Sequence, residues 1–282
     1  MIDFTNNDIV HIKNGNVEYL EFRILNQYSD KLKHCFTLRH GGVSRGLYDS
    51  LNFRTTGNDK KENVYKNIEI ICNKLNISPD NICKAHQLHT DDILVLNNNN
   101  KQKYNFRVNN DEKFDAYVTN EKNIATLVTT ADCNPIIIYD PVKNVVANVH
   151  SGWKGTVKQI YLKVAKFLHK KFECNYLDLI VCVGPSINKC CWLSQDEDLR
   201  KLFLSIWPYE DEYIENKENG YFGVDFPYVI KKDLINLGLK KENIVLSNIC
   251  TCCNTESFYS YRDATKKAQK DYGTMATIVE LI

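Results

Sequence analysis

The sequence predicts an α+β fold built in layers, and three observations carry that expectation. Stretches with helical periodicity alternate with short runs rich in β-branched residues. Three of those runs, within 123–150, follow one another across short turns with no helix between them, which favours antiparallel pairing over a repeated βαβ unit. The chain has 282 residues, 43% of them hydrophobic, enough to fill an ordinary core. With no internal repeat and no convincing linker, a single domain over 1–282 is expected.

In chain order, "DKKENVYKNIEIICNKLNI" (59–77) places Val64, Ile68, Ile71, Cys72 and Leu75 on one helical face, with Asn58 or Asp59 available as a cap. Strand-like runs follow at 82–87 and 92–97, and the asparagine run at 97–100 with "KQKYN" reads as a solvated loop. Strands are then expected at 123–130, 135–140 and 145–150, a helix at 156–172 and a strand at 178–184. Helices at 195–207 and 227–239 and strands at 243–248 and 274–281 complete the pattern.

Charge excludes some partners. Lys+Arg 36 against Asp+Glu 35 leaves a formal charge of +1, so no global field draws the protein to nucleic acid or an anionic membrane. No stretch approaches the roughly 18 apolar residues of a membrane span, and no basic region precedes an apolar run at the start. A cytosolic chain is expected. Its eleven cysteines are odd in number and follow no secretion signal, so they read as reduced thiols. Cys72 and Cys182 lie in apolar runs as small core residues. Cys250 and Cys253 form a Cys-x-x-Cys, but no second matching pair and no thioredoxin-like context accompanies them, so no metal is expected there.

The chemistry-bearing residues fall at strand ends. His89 follows 82–87 in "AHQLHTDD", Cys133 occupies the turn "TTADCNP", and His150 ends "VVANVH". Brought to one sheet edge, two imidazoles and a thiolate would hold zinc with a fourth position left open, the catalytic pattern. Taken singly, a strand-end Cys or His is more often structural. His86 competes with His89, but in an extended segment the two point to opposite faces, so only one reaches the site. In "HSGWKGT", Gly152 and Gly155 permit close backbone approach, and the following helix start with Lys154 could hold an anion; a glycine-rich turn over a packed Trp153 is the alternative. The loop "TLRHGGVSRGLYDSLNF" gathers Arg39, Ser44, Arg45, Tyr48 and Asn52, suited to a polyhydroxylated or phosphate-bearing ligand or to a solvated turn. Arg262 stands beside Phe258, Tyr259 and Tyr261, either lining a pocket or closing an aromatic cluster. Asp132, next to Cys133, is a candidate proton carrier or a turn-holding carboxylate.

The segments "RHGGVSRGLYDSLN", "HQLH", "FDAYVT", "TTADCNPIIIYD", "VHSGWKGT", "GPSI" and "FYSYR" resemble, in order and approximate spacing, the YfiH-like family, also called the laccase-domain or polyphenol oxidase family. The resemblance runs from about residue 20 to the end, and the Thr-Ala-Asp-Cys-x-Pro and His-x-Gly-Trp-x-Gly segments carry it most specifically. It implies a single-domain αββα sandwich, similar to the catalytic domain of cytotoxic necrotizing factor. It also implies a zinc site on His89, Cys133 and His150. The activity implied is phosphorolysis of adenosine, inosine, guanosine or methylthioadenosine, with adenosine deamination by water activated on the metal. Purine nucleosides and phosphate would be the partners, with Arg39, Lys154 or Arg262 orienting phosphate and Asn52 contacting sugar or base.

This chain departs from the family at Ser151 and Lys154, where Ala and Arg are common, at Trp192 for a Tyr, and at Asp263 for the second Arg of a frequent pair. Lys154 keeps the charge and loses the bidentate fork. Rival readings are a cysteine hydrolase or deamidase using Cys133 and His150, an editing enzyme of peptidoglycan precursors, a non-catalytic zinc protein, and a copper phenol oxidase. Seven histidines without a His-x-His pair are poor material for a multicopper cluster, although copper could substitute at a thiolate with two imidazoles.

Overall fold

The central strands are buried at every position, and alternate residues pack into different clusters, giving two inner faces and two helix-covered faces, which is what a four-layer sandwich requires. The computed structural model describes residues 2–282. Its strands are β1 (Ile9–Asn14), β2 (Val17–Phe22), β3 (Leu32–Thr37), β4 (Ile82–Cys83), β5 (Ile93–Val95), β6 (Ala116–Thr119), β7 (Ala125–Thr130) and β8 (Asn134–Asp140). They continue with β9 (Val145–Ser151), β10 (Ile180–Val183), β11 (Leu193–Ser194), β12 (Ile214–Asn216), β13 (Phe222–Val224), β14 (Ile244–Leu246) and β15 (Met275–Leu281). One six-stranded sheet runs β1-β2-β3-β15-β7-β4, a second runs β14-β10-β8-β9-β6-β5, and β11-β13-β12 form a small third sheet.

Between the two large sheets pack Phe22, Phe36 and Val279 from the first and Ile137, Tyr139 and Val146 from the second. The residues alternating with these face outward. Cys35, Leu127 and Ile278 pack on Lys61–Leu75, where Cys72 is buried as expected, while Ile136, Ile138 and Ala147 pack on the helices Ile160–Phe172 and Phe226–Leu237. The αββα layering that the resemblance implies is therefore present. Asn148, on the inner face, donates from Nδ2 to the carbonyls of Thr126 and Thr277, bonding the two sheets directly. No helix among the described residues is long and apolar enough to cross a membrane.

Three expectations need correction. The strands at 123–150 do not form one antiparallel meander: β7 pairs with β15 and β4, while β8 and β9 pair in the other sheet. The chain changes sheets at 131–133, so the cysteine turn is an inter-layer crossover. The helix expected at 156–172 is two helices, Trp153–Val157 and Ile160–Phe172, separated at Gln159, whose φ of 56° is left-handed. Neither Asn58 nor Asp59 caps Lys61–Leu75. Lys60 is at the N-cap without a side-chain bond, and Asp59 instead accepts from Ser44 Oγ and Asn52 Nδ2.

His34 shows what the inner face demands of a polar group. It is 3% exposed, its Nε2 accepts the Phe22 N–H at 2.9 Å, and burial pushes its imidazole down to about 3. The folded state therefore refuses a proton that the unfolded chain takes up near pH ~6.5, so this group's contribution is complete above that pH and declines as the pH falls toward the folded value. Between pH ~6.5 and pH ~5 the loss is on the order of 2 kcal/mol. Urea unfolding at pH 7 and pH 5 is expected to show a larger decline in the wild type than in His34→Gln, the difference being on the order of 2 kcal/mol.

Candidate metal centre and adjoining cavity

Three strand ends meet at one edge of the sandwich. His89 lies in the loop between β4 and β5 with a left-handed φ of 56°, Cys133 lies in the crossover from β7 to β8, and His150 lies near the end of β9. Pairing of Pro135 with His150 and of Asn134 with Ser151 places the crossover beside the end of β9. The ligand atoms of His89, Cys133 and His150 all lie within 4.8 Å of one another. The imidazole centroids are 4.9 Å apart.

Asp115, immediately before β6, organises this edge and was not singled out in the sequence. It is fully buried; its Oδ1 accepts from His150 Nδ1 at 2.6 Å and from the His89 N–H at 3.2 Å. Its Oδ2 accepts the N–H groups of Leu88 and Thr90 and the Thr90 hydroxyl. Its own carbonyl accepts the His150 N–H at 2.7 Å. One carboxylate thus fixes the His89 loop and selects the His150 tautomer that leaves Nε2 free. The available signal was an acidic residue heading the apolar strand of "FDAYVT".

The electrostatics favour a cation here. Burial pushes the His150 imidazole down, but the neighbouring Cys133 sulfur and the Asp115 carboxylate outweigh it and lift it to about 10. His89 moves the other way, to about 4, through burial and then the charge on His150. The field that holds a proton on His150 equally favours a metal ion in that proton's place. His89 Nδ1 is buried with no hydrogen-bond partner, an orphan that coordination would satisfy. Gly152 completes the arrangement: a Cβ there would come 2.2 Å from His89 Nδ1 and 3.1 Å from Cys133 Sγ.

His89 and Cys133 line a cavity of about 590 Å³, within the usual range for small-molecule sites, with His150 buried behind them. Trp153, Trp192, Phe226, Tyr261 and Tyr272 supply apolar wall, and Lys154 and Arg262 supply positive charge. Arg262 is braced, its Nη1 donating to the carbonyls of Cys191 and Leu193. His86 lines a different cavity with Arg54, Lys84 and Arg107, in keeping with the expectation that only one of the two histidines reaches the triad.

Other sequence-derived candidates are not brought together. Asn52 is fully buried outside the cavity; its Oδ1 accepts the N–H groups of Arg54 and Thr274 and its Nδ2 donates to Asp59. Arg39 donates to the carbonyls of Asp49 and Thr255 and stacks 4.4 Å over the Tyr259 ring, lining a separate, smaller cavity. Asp132 has no free oxygen for proton traffic: Oδ1 accepts the Thr251 hydroxyl, and Oδ2 accepts the Ser260 hydroxyl and the Arg262 N–H. The helix after Gly152 has five residues, so its dipole adds little to anion binding and the charge near it comes from Lys154. The Cys250–Cys253 pair does have partners, Cys190 and Cys191, from a segment whose sequence gave no Cys-x-x-Cys pattern.

The family described as multi-copper polyphenol oxidoreductase laccase matches residues 33–282. The chain belongs to this family. It is 32% identical over 241 residues to purine nucleoside phosphorylase YlmD of Bacillus subtilis strain 168, covering 84% of this chain and 85% of the relative. It is 25% identical over 248 residues to a purine nucleoside phosphorylase of Bacteroides thetaiotaomicron, covering 86% and 90%. The crystal structure of Bacillus licheniformis hypothetical protein YfiH superposes with a TM-score of 0.87 at 25% identity, covering 96% of this chain and 99% of that one. YlmD of Geobacillus stearothermophilus gives 0.85 at 22% identity, covering 97% and 99%, a likeness of fold.

Two substitutions probe the triad without removing a ligand. Asp115→Asn is expected to weaken metal binding roughly 10- to 100-fold, as loss of a carboxylate behind a ligating histidine does elsewhere. Gly152→Ala is expected to displace the His89 ring and reduce bound metal further. Metal content after equilibrium dialysis against a chelator series checks both.

Proposed function

We propose that the chain is a zinc-dependent purine nucleoside phosphorylase that also deaminates adenosine. The observation carrying this reading is the His89, Cys133 and His150 triad, two of whose members, His89 and Cys133, line an aromatic cavity with two cationic side chains. The names of the relatives support the phosphorylase part. Two imidazoles and one thiolate suit zinc with a fourth position open, and copper is a competent substitute. When bound, zinc supplies a Lewis acid and lowers the pKa of water toward ~7.

The rest falls to the chain's own side chains. The rings of Trp153, Tyr261 and Tyr272 offer flat apolar surface to a purine. Arg262, pre-aimed by its bonds to two carbonyls, and exposed Lys154 bind and orient phosphate against the ribose. Asp115 keeps the proton of His150 on Nδ1 and so leaves Nε2 free of it. Inosine, guanosine and methylthioadenosine are further substrates of this reading, and the cytosol, where free thiols persist, is its location. The contact between His150 and the Cys133 thiol would also serve a cysteine hydrolase, whose nucleophile must be free of metal.

Metal-assayed protein incubated with a nucleoside panel, with and without phosphate, tests the proposal by chromatography of the products. Lys154→Ala is expected to slow phosphorolysis roughly 10- to 100-fold, as befits loss of a charge-assisted bond, and to spare deamination. His150→Ala is expected to abolish both. No turnover of any purine nucleoside by zinc-replete wild type would reject the function.

A further inference from the structure

Outside the triad, a second group of ligands stands at the surface: Cys190, Cys191, Cys250 and Cys253, with all four Sγ atoms within 4.8 Å of one another. We infer that these four cysteines form a second, closed metal site that takes Zn(II) and ties the cavity wall to the segment leading to Arg262. The inference does not depend on the nucleoside reading.

Two backbone turns build the site. In the first, the N–H groups of Cys191 and Trp192 donate to the carbonyl of Asn188, curling Cys190 and Cys191 toward the neighbouring segment. In the second, the Asn254 N–H donates to the Thr251 carbonyl, and Asn254 Nδ2 donates to the Cys250 carbonyl at 2.8 Å. A parallel bridge between Ser186 and Cys250 aligns the two turns, with the Thr251 N–H bonded to the Ser186 carbonyl. The Asn188 N–H also points at Cys250 Sγ, 3.5 Å away, the outer contact that a metal-bound thiolate accepts. The cysteines thus converge from segments 59 residues apart (250 − 191) through backbone bonds that involve no thiol–thiol link.

The distances suit an ion. Cys253 Sγ is 3.5 Å from Cys190 Sγ and 3.4 Å from Cys191 Sγ. These exceed the ~2.05 Å of a disulfide and lie near the ~3.8 Å edge of a tetrahedron with Zn–S bonds of ~2.3 Å. Four sulfurs leave no open coordination position, so the site is structural. Its formation is a balanced exchange: four S–H protons leave to solvent as four S–Zn bonds form, with no change of oxidation state. Cys252, between two of the ligands, lies outside the group. The position gives the site its effect, because Trp192 and Leu193 line the cavity directly after Cys191, and Arg262 is braced on the carbonyls of Cys191 and Leu193.

Metal analysis of reduced, zinc-replete protein tests this directly. Wild type is expected to hold about two zinc ions per chain, and Cys133→Ala and Cys190→Ser/Cys253→Ser about one each. Cys252→Ser is expected to retain the wild-type number. Cobalt reconstitution of Cys133→Ala gives a readout that needs no cluster variant to fold, since a tetrahedral tetrathiolate Co(II) centre has intense thiolate-to-metal absorption. At most one zinc in wild type with none in Cys133→Ala, or no such absorption from that variant, overturns the inference. So does peptide mapping of protein alkylated at lysis that finds Cys253 in a disulfide with Cys190 or Cys191.

Discussion

The candidate site rests on a carboxylate that points away from the cavity. Asp115 is wholly buried, and burial works against its charge. It stays ionised, with its carboxyl below the usual range, because His150 and the Thr90 donors on the His89 loop more than offset that cost. Those donors tie the His89 loop to the head of β6 and the end of β9, which strand pairing already sets side by side. A neutral replacement of the same shape would leave these N–H groups competing for one weak acceptor. The candidate triad is therefore better described as four residues, three with ligand-capable atoms gathered within 4.8 Å and one holding two of the three in place.

Much of this was legible in the sequence because period-2 and period-3.6 patterns report directly on which face is buried. Each of the eight expected strands and four helical segments has a counterpart, though the strand at 82–87 shrinks to Ile82–Cys83 and the helix at 156–172 is broken in two, and Cys72 and Cys182 are core residues as their apolar settings implied. His89, Cys133 and His150 could be singled out because strand ends are where polar chemistry is tolerated. The N-terminal strands β1 to β3 escaped notice, since Glu18, Glu21, His11 and His34 interrupt their apolar runs. The sheet assignment of β7 was also hidden: a short turn is compatible with a hairpin and with a change of layer, and only the tertiary pairing with β15 decides between them. Arg39 and Asn52 looked like ligand-binding residues because a donor-rich loop has the same composition whether its donors face a ligand or its own backbone carbonyls. The four-cysteine group was invisible because two of its members are adjacent and the other two lie in a distant segment.

The crossover at 131–133 links the site to the fold in another way. It places Cys133 beside the end of β9, and it places Asp132, with a φ of 84°, under the loops that form the far wall of the cavity. Thr251, Ser260 and Arg262 all bond to that carboxylate. Neighbouring residues in one turn thus serve two halves of the candidate site, Cys133 in the triad and Asp132 as a tie.

That division has a consequence for how the molecule is made. His89, Asp115, Cys133 and His150 fall within one continuous stretch of 62 residues (89 through 150), whereas the bonds from Asp132 to Thr251, Ser260 and Arg262 span 119, 128 and 130 residues. Closing the longer loops carries the greater entropic cost, so the ligand edge has the shorter route to its native contacts and the wall the longer one. On a ribosome the asymmetry is stricter still. The four residues of the ligand edge have left the peptidyl-transferase centre well before the wall has been translated, and the cavity can close only when the last part of the chain arrives.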